Sequence, residues 1–170
     1  PALKNINLQI NKGDKIGLIG KNGSGKTTLL KTFAQIYSPT SGFLEINEKP
    51  FTILDANMGL NVDATGAENI KMISYLYNLE ELRSSDAIRR IQDFSELGKF
   101  INLPVRTYST GMKVRLTTSI SIQINPKFLL IDEFFGAGDK SFIEKTRTAL
   151  KEKYTSLNGL VFASHQMEII

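Results

Sequence analysis

A glycine-rich segment, GKNGSGKTT at residues 20–28, carries the clearest chemical signal in the sequence. It fits the pattern G-x-x-x-x-G-K-[ST], whose fixed positions are Gly20, Gly25, Lys26 and Thr27. Glycines let a loop point successive backbone N–H groups inward, and the start of the following helix adds partial positive charge. Such a loop holds a polyphosphate, so the segment predicts nucleotide binding.

Side-chain chemistry assigns roles within this phosphate loop. Lys26 is expected to reach the β and γ phosphates, and Thr27 to offer its hydroxyl to the Mg²⁺ that bridges them. A glycine-rich turn beside an ordinary surface lysine is the alternative, which the full motif between a strand and a helix disfavours. The residues expected to bind the nucleotide are Gly20, Lys21, Asn22, Gly23, Ser24, Gly25, Lys26, Thr27 and Thr28.

Two carboxylates, Asp132 and Glu133, follow the apolar run FLLI at 128–131. A buried parallel strand would deliver them to the carboxyl edge of the sheet, where open α/β sheets bind ligands. We expect Asp132 to complete the Mg²⁺ shell, and Glu133 to orient or deprotonate the water that attacks the γ-phosphate. Two acids that simply end a strand at the surface are the alternative.

The single histidine, His165, follows the apolar run GLVFA at 159–163 and is expected at the same sheet edge. A lone histidine is usually structural, but this placement favours contact with the γ-phosphate or the attacking water. The predicted catalytic residues are therefore Glu133, His165 and Lys26.

The segment YSTGM at 108–112 opens a basic, helix-length stretch. A serine hydroxyl and exposed N–H groups at a helix start can hold a phosphate, and Ser109 can equally cap the helix. The two roles are compatible.

Strand and helix patterns alternate along the chain, which indicates an α/β fold with a mostly parallel sheet. Helical patterns alone occupy residues 66–103, and a further helix is expected around 140–154. The other predicted elements are a helix at 27–36 and strands at 6–10, 15–20, 43–47, 51–54, 127–131 and 159–163.

Composition narrows the class of protein. With 41% hydrophobic and 22% charged residues, the 170-residue chain is typical of one globular domain, and the absence of cysteine excludes a disulfide framework. Scattered Lys and Arg give a net charge of +4, a weak indication of anionic partners. The start at Pro1 and the helical pattern still running at Ile170 predict a fragment truncated at both ends.

Together, the phosphate loop, the Ser-Gly segment, LLIDE and SHQ resemble, in order and along essentially the full chain, the ATPase domain of ABC transporters. The resemblance implies one P-loop NTPase domain over 1–170, with Mg²⁺ and ATP as cofactors. It implies a RecA-like β core at 1–58 and 116–170, with a small antiparallel β part near the N-terminus. A helical subdomain is implied at 59–115.

The resemblance also implies that two copies form a head-to-tail homodimer. The signature segment, Ser109, Thr110, Gly111 and Met112, would then act in trans on ATP held by the opposite subunit. GAGD at 136–139 resembles the D-loop that crosses this interface, although Asp139 could simply cap the next helix. His165 resembles the family's H-switch.

Several positions depart from the common family pattern. The expected Q-loop glutamine is missing, and Asp55 and Asn57 are the available substitutes. Tyr108, Thr110 and Met112 stand where Leu, Gly and Gln are commonest. The aromatic residue that stacks on adenine in this family would precede Pro1.

These departures, with TGAENI at 65–70 and DFSELGKFINLPVRTYSTGM at 93–112, resemble the ATPases of polysaccharide exporters for O-antigen, teichoic acid or capsule. That resemblance implies a peripheral subunit on the cytoplasmic face of the membrane, which powers a separate integral membrane permease without contacting nucleic acid. The alternatives are an ABC ATPase for another substrate, a soluble ABC ATPase acting on nucleic acid or the ribosome, and a nonhydrolysing scaffold domain.

Overall fold

The structure is a computed structural model that describes residues 3–53, 59–132, 139–154 and 156–164, with the backbone alone at Tyr154. The described residues form two compact units. The first unit contains residues 3–53, 126–132, 152–154 and 156–164, and the second contains residues 59–125 and 139–151.

The first unit is built on a parallel sheet of four strands: β1 (Lys15–Ile19), β2 (Phe51–Ile53), β3 (Phe128–Asp132) and β4 (Gly159–Ser164). Their order across the sheet is β1-β4-β3-β2, and every pairing is parallel. The inner strands β3 and β4 are apolar and mostly buried, as expected for parallel strands. The strands predicted at 15–20, 127–131 and 159–163 are confirmed, as is the one predicted at 51–54 over its described residues.

Helix α1 (Lys26–Phe33) packs on this sheet through Leu30 and Phe33, which form a core with Leu130, Val161 and Ala163. The helix predicted at 27–36 ends three residues early. Gln35 takes a left-handed φ of 58°, and the N–H groups of the next two residues donate to the carbonyl of Lys31. The chain therefore turns away before the helical pattern ends.

The antiparallel β part predicted near the N-terminus, from segments 6–10 and 43–47, is not formed by the described residues. No backbone hydrogen bond joins the two segments there, so they lack the ladder that defines a strand pair. Leu44 and Ile46 are nevertheless half-buried and line, with Ile10, a cavity of about 320 Å³. In segment 43–47 the alternation thus reflects one-sided packing without strand pairing, whereas Ile6 and Leu8 in segment 6–10 are exposed.

The second unit is helical and contains α2 (Gly66–Leu76), α3 (Ser85–Ser95), α4 (Thr110–Gln123) and most of α5 (Lys140–Tyr154). Short 3₁₀ turns occur at Glu80–Leu82, Gly98–Asn102 and Val105–Thr107. The helical patterns predicted at 66–103 and 140–154 are confirmed. No helix in the described part of the chain is long and apolar enough to cross a membrane.

Helix α4 is buried continuously from Leu116 to Ile122, although four of these residues carry hydroxyl groups. Three of the hydroxyls donate to the backbone of the preceding turn: Thr117 to Lys113, Ser119 to Arg115 and Ser121 to Thr117. These bonds satisfy polar groups that would otherwise be costly to bury. Helix α4 can therefore form the centre of the helical unit.

Gly66 opens α2 against the buried ring of Tyr108. A Cβ at position 66 would lie 2.6 Å from the Tyr108 hydroxyl oxygen and 3.1 Å from the carbonyl oxygen of Ile101. The Tyr108 hydroxyl donates to the carbonyl of Phe100 at 2.5 Å, and burial raises the pKa of Tyr108. Close packing on Tyr108 therefore requires glycine at position 66.

We predict that Gly66→Ala lowers the free energy of unfolding by about 1–3 kcal/mol, because the added methyl overpacks this contact. Adding Tyr108→Phe removes the closest clashing atom, so the double variant should lose less than the sum of the two single changes. Urea unfolding of the four proteins measures this coupling. Gly111→Ala is the control, since its Cβ would meet nothing closer than 3.9 Å. Equal stability of Gly66→Ala and this control would contradict the packing argument.

Candidate functional site

The phosphate loop, residues 20–28, runs from the end of β1 into α1. Gly23 and Gly25 have φ values of 80° and 96°, in the left-handed region that favours glycine. A Cβ at Gly20 would lie 2.7 Å from the Ser24 hydroxyl oxygen. The backbone therefore favours glycine at positions 23 and 25, and a side chain at position 20 would displace the Ser24 hydroxyl.

The start of α1 is suited to an anion. Gly25 occupies the N-cap position and supplies no side-chain acceptor, and the first turn carries no acid. Its N–H groups can therefore donate to phosphate oxygens, and the helix dipole adds positive charge there. The Lys26 ammonium donates to the carbonyls of Gly20 and Lys21 at 2.7 and 3.2 Å, which keeps its charge at the loop.

Thr27 and Asp132 lie in contact, as their predicted shared role requires. The Thr27 hydroxyl donates to Asp132 Oδ2 at 2.5 Å, joining the start of α1 to the carboxyl end of β3. Mg²⁺ on a nucleotide usually takes one or two oxygen ligands from protein, with phosphates and water completing its shell. This hydroxyl–carboxylate pair fits that ion.

Parallel pairing aligns the carboxyl ends of three strands at this edge. Ile19 of β1 pairs with Ser164 of β4, and Asp132 of β3 pairs with Ala163. Glu133 and His165, the next residues after β3 and β4, lie outside the described residues, as do Asp55 and Asn57. Their roles stay predictions.

The signature segment, residues 109–112, begins α4 in the helical unit. Ser109 is the N-cap, and its hydroxyl oxygen accepts the N–H of Met112 at 3.2 Å, which confirms the predicted cap. Ser109, Thr110 and Gly111 are exposed. Gly111 has no positive φ, and among the described residues only the Ser109 hydroxyl oxygen lies within 4 Å of the Cβ position. Packing inside the subunit therefore gives no reason for this glycine.

The segment TGAENI holds the chain that leads into the signature, a role that the motif analysis missed. Buried Asn69 donates to the carbonyls of Asn61 and Thr65, both at 2.9 Å, and its amide oxygen accepts the N–H of Asn61 at 2.7 Å. The carbonyls of Val62 and Ala64 then accept the N–H groups two and three residues before Tyr108, at 2.7 and 2.9 Å. The turn fixed by Asn69 thus positions the approach to Ser109.

Thr65 and Glu68 strengthen the same region by capping α2. The Thr65 hydroxyl oxygen accepts the Glu68 N–H at 3.1 Å, and the Glu68 carboxylate accepts the Thr65 N–H at 2.8 Å. Bonds from the Thr65 backbone and hydroxyl hold the pKa of Glu68 below its ordinary value. The T-x-x-E spacing is a capping signal that could have predicted this helix start.

Asp139, at the end of the predicted D-loop, caps α5. Its Oδ1 accepts the Phe142 N–H at 3.0 Å, while Oδ2 accepts a hydrogen bond from Arg115. These two bonds, the helix N–H first, lower the pKa of Asp139. The capping alternative is confirmed, and the D-loop role stays a prediction.

The family model described as "ABC transporter" matches residues 3–136. The chain belongs to the ABC transporter family. It is 40% identical over 169 residues to the O-antigen export system ATP-binding protein RfbE of Yersinia enterocolitica, covering 99% of this chain and 71% of that protein. It is 37% identical to the teichoic acids export ATP-binding protein TagH of Shouchella clausii, covering 99% of this chain and 47% of that protein. The chain therefore spans less than half of the second relative.

Solved structures of ABC cassettes share the fold. The dimeric post-hydrolysis structure of the ATP-binding cassette MJ0796 with ADP and Pi aligns with a TM-score of 0.80 at 23% identity, covering 99% of this chain and 82% of that one. An ATP-binding subunit of an ABC transporter aligns with a TM-score of 0.81 at 21% identity, covering 98% and 74%. The predicted α/β P-loop fold is confirmed.

We predict that Lys26→Ala weakens nucleotide binding about ten- to a hundredfold, because hydrogen bonds from a charged donor to phosphate are lost. Titration with a fluorescent ATP analogue measures the dissociation constant. Lys31→Ala, in the last turn of the same helix, is the matched control and should bind normally. Unchanged affinity in Lys26→Ala would contradict the phosphate-loop role.

Proposed function

We propose that this chain is the ATP-binding and ATP-hydrolysing part of an ABC exporter that moves a polysaccharide or lipid-linked glycan, such as O-antigen, teichoic acid or capsule. The observation that carries the ATPase role is the contact between Thr27 and Asp132 beside a glycine-shaped phosphate loop. The names of the two export relatives support the class of cargo.

Nucleotide binding uses residues of the first unit. Backbone N–H groups of the phosphate loop hold the phosphates, and Lys26 neutralises their charge. Thr27 and Asp132 supply the oxygen ligands for Mg²⁺. An ion held there would stabilise the negative charge of the phosphates during hydrolysis.

Hydrolysis uses the residues that follow β3 and β4. Glu133 directly follows Asp132 in the sequence, and its carboxylate orients or deprotonates a water near the γ-phosphate. His165 follows the neighbouring strand and contacts the γ-phosphate or that water. The paired ends of β3 and β4 support this shared location.

The signature segment completes the site of a second copy in a head-to-tail homodimer. Ser109 donates its hydroxyl, and Gly111 exposes its backbone, to the γ-phosphate held by the opposite subunit. The open space beside Gly111 and the absence of acid in the first turn of α4 support this role. ATP closes the dimer because the closed state binds the γ-phosphate more tightly than the open state does.

The ATPase acts on a separate integral membrane permease and sits peripherally on the cytoplasmic face of the membrane. The permease selects the glycan, and the closing dimer drives it. Two relatives are named as the ATP-binding proteins of export systems, which supports a division between an ATPase and a separate permease.

We predict that Glu133→Gln keeps ATP binding and stabilises the closed dimer but lowers turnover at least about a hundredfold, because the general base is lost. Steady-state phosphate release, nucleotide titration and the dimer fraction on size exclusion with ATP and Mg²⁺ measure the three effects. Near-normal hydrolysis would contradict the assignment of Glu133.

Affinity capture tests the exporter role. Full-length Glu133→Gln protein is incubated with ATP and Mg²⁺ in detergent-solubilised membranes of the source cell, and co-purifying proteins are identified by mass spectrometry. Glu133→Gln combined with Lys26→Ala is the control for ATP dependence. A multi-spanning protein encoded beside glycan-synthesis enzymes is expected, whereas ribosomes or nucleic acid without a membrane protein would overturn the exporter role.

A further inference from the structure

An ion network in the helical unit centres on Arg115, six residues beyond Ser109 on α4. Its Nη1 donates to Glu96 Oε2 at 2.8 Å and to the carbonyl of Ser95 at 3.2 Å, and its Nη2 donates to Asp139. The guanidinium lies over the ring of Phe142 at 4.6 Å from the centroid. One side chain thus ties α4 to the end of α3 and the start of α5.

Glu96 occupies a backbone conformation that glycine or asparagine would adopt more easily. It is the C-cap of α3, with φ 58° and ψ 25°, in the left-handed region. Its carboxylate accepts hydrogen bonds from Arg115 and, at 2.9 Å, from Lys145, and these bonds lower the pKa of Glu96. The contacts of the Glu96 side chain therefore explain why glutamate occupies a position whose backbone conformation disfavours it.

Lys145 fixes the far side of Glu96. Its ammonium also donates to the carbonyl of Phe94 at 2.9 Å and lies 4.7 Å from the centre of the Phe94 ring. The network then holds two cations, Arg115 and Lys145, and two anions, Glu96 and Asp139. Removal of Glu96 leaves one uncompensated positive charge and frees one side of the guanidinium.

Stability alone explains this network poorly. The side chains of Glu96 and Asp139 are 51% and 55% exposed, and ion pairs in contact with water contribute little to folding. A strained backbone at Glu96 opposes even that small gain. Fixed geometry is the better explanation, since charge-assisted bonds of arginine are strongly directional.

The network includes residues from two motifs of the proposed ATPase. Arg115 belongs to the helix that begins at the signature serine. Asp139 is the last residue of the predicted D-loop, which begins three residues after Glu133 in the sequence. We propose that Glu96 is a positioning residue for ATP hydrolysis, which holds Arg115 against Asp139 and so fixes the start of α5 relative to the signature helix α4. This inference rests on the proposed function.

Glu96→Gly separates positioning from folding, because glycine suits the left-handed backbone while the side chain that binds Arg115 and Lys145 is removed. We expect unchanged or higher thermal stability and unchanged ATP affinity, with kcat about tenfold lower at similar KM, since misplaced groups slow chemistry. Glu96→Gln keeps an acceptor for Arg115 and should be intermediate. The control is Gln35→Gly, at φ 58° outside the network, which should hydrolyse ATP normally.

Full-length protein with its membrane partner is used throughout, with phosphate release and nucleotide titration measured for each variant. The test requires that the wild-type protein hydrolyses ATP. The positioning role is then overturned if Glu96→Gly has wild-type turnover, or if this variant loses thermal stability and ATP affinity together. Failure of the wild-type protein itself to bind or hydrolyse ATP would instead overturn the proposed function, and this inference with it.

Discussion

Parallel strand pairing is the constraint on which the nucleotide site depends. The register that sets Ile19 beside Ser164 and Asp132 beside Ala163 brings three strand ends to one level. The phosphate loop leaves the first of these strands, and Asp132, the proposed Mg²⁺ ligand, ends another. A slip of one residue would reverse the face on which Asp132 points and separate it from Thr27. The chemistry of the site is thus set by strand pairing between residues that are distant in sequence, such as Ile19 with Ser164.

The helical unit presents a serine and a glycine at an exposed helix start. Buried Asn69 holds the turn at 61–65 by hydrogen bonds, and the Tyr108 hydroxyl donates a hydrogen bond to the carbonyl of Phe100. Both use a polar atom in a buried place, where an unpaired partner would cost free energy. The signature segment therefore has a base fixed by hydrogen bonds and a tip exposed to solvent.

Structural features that depend on a short stretch of sequence could be predicted from the sequence. The phosphate loop, the Ser109 cap and the four strands of the parallel sheet each depend on a short pattern, and the structure has all of them. The strands expected at 6–10 and 43–47 did not form, because an alternating pattern does not by itself supply the partner strand whose hydrogen bonds define a ladder. Asp139 was predicted as a D-loop residue or a helix cap, but its ion pair with Arg115 and the pairing of Arg115 with Glu96 were not, because these contacts join residues 24 and 19 positions apart with no shared motif. Glu133 and His165 remain predictions.

The central claim is that each ATP site combines the phosphate loop of one subunit with the signature of the other, and mixed dimers test it most directly. Full-length Lys26→Ala and Ser109→Arg chains, differently tagged and co-purified as mixed dimers with the permease, should retain about half the wild-type hydrolysis rate, because one of two sites is intact. Dimers of one wild-type chain and one chain carrying both substitutions should be inactive, because each site then holds one damaged half. The claim would be contradicted if the dimer of two singly substituted chains were inactive and the dimer of one wild-type and one doubly substituted chain were active.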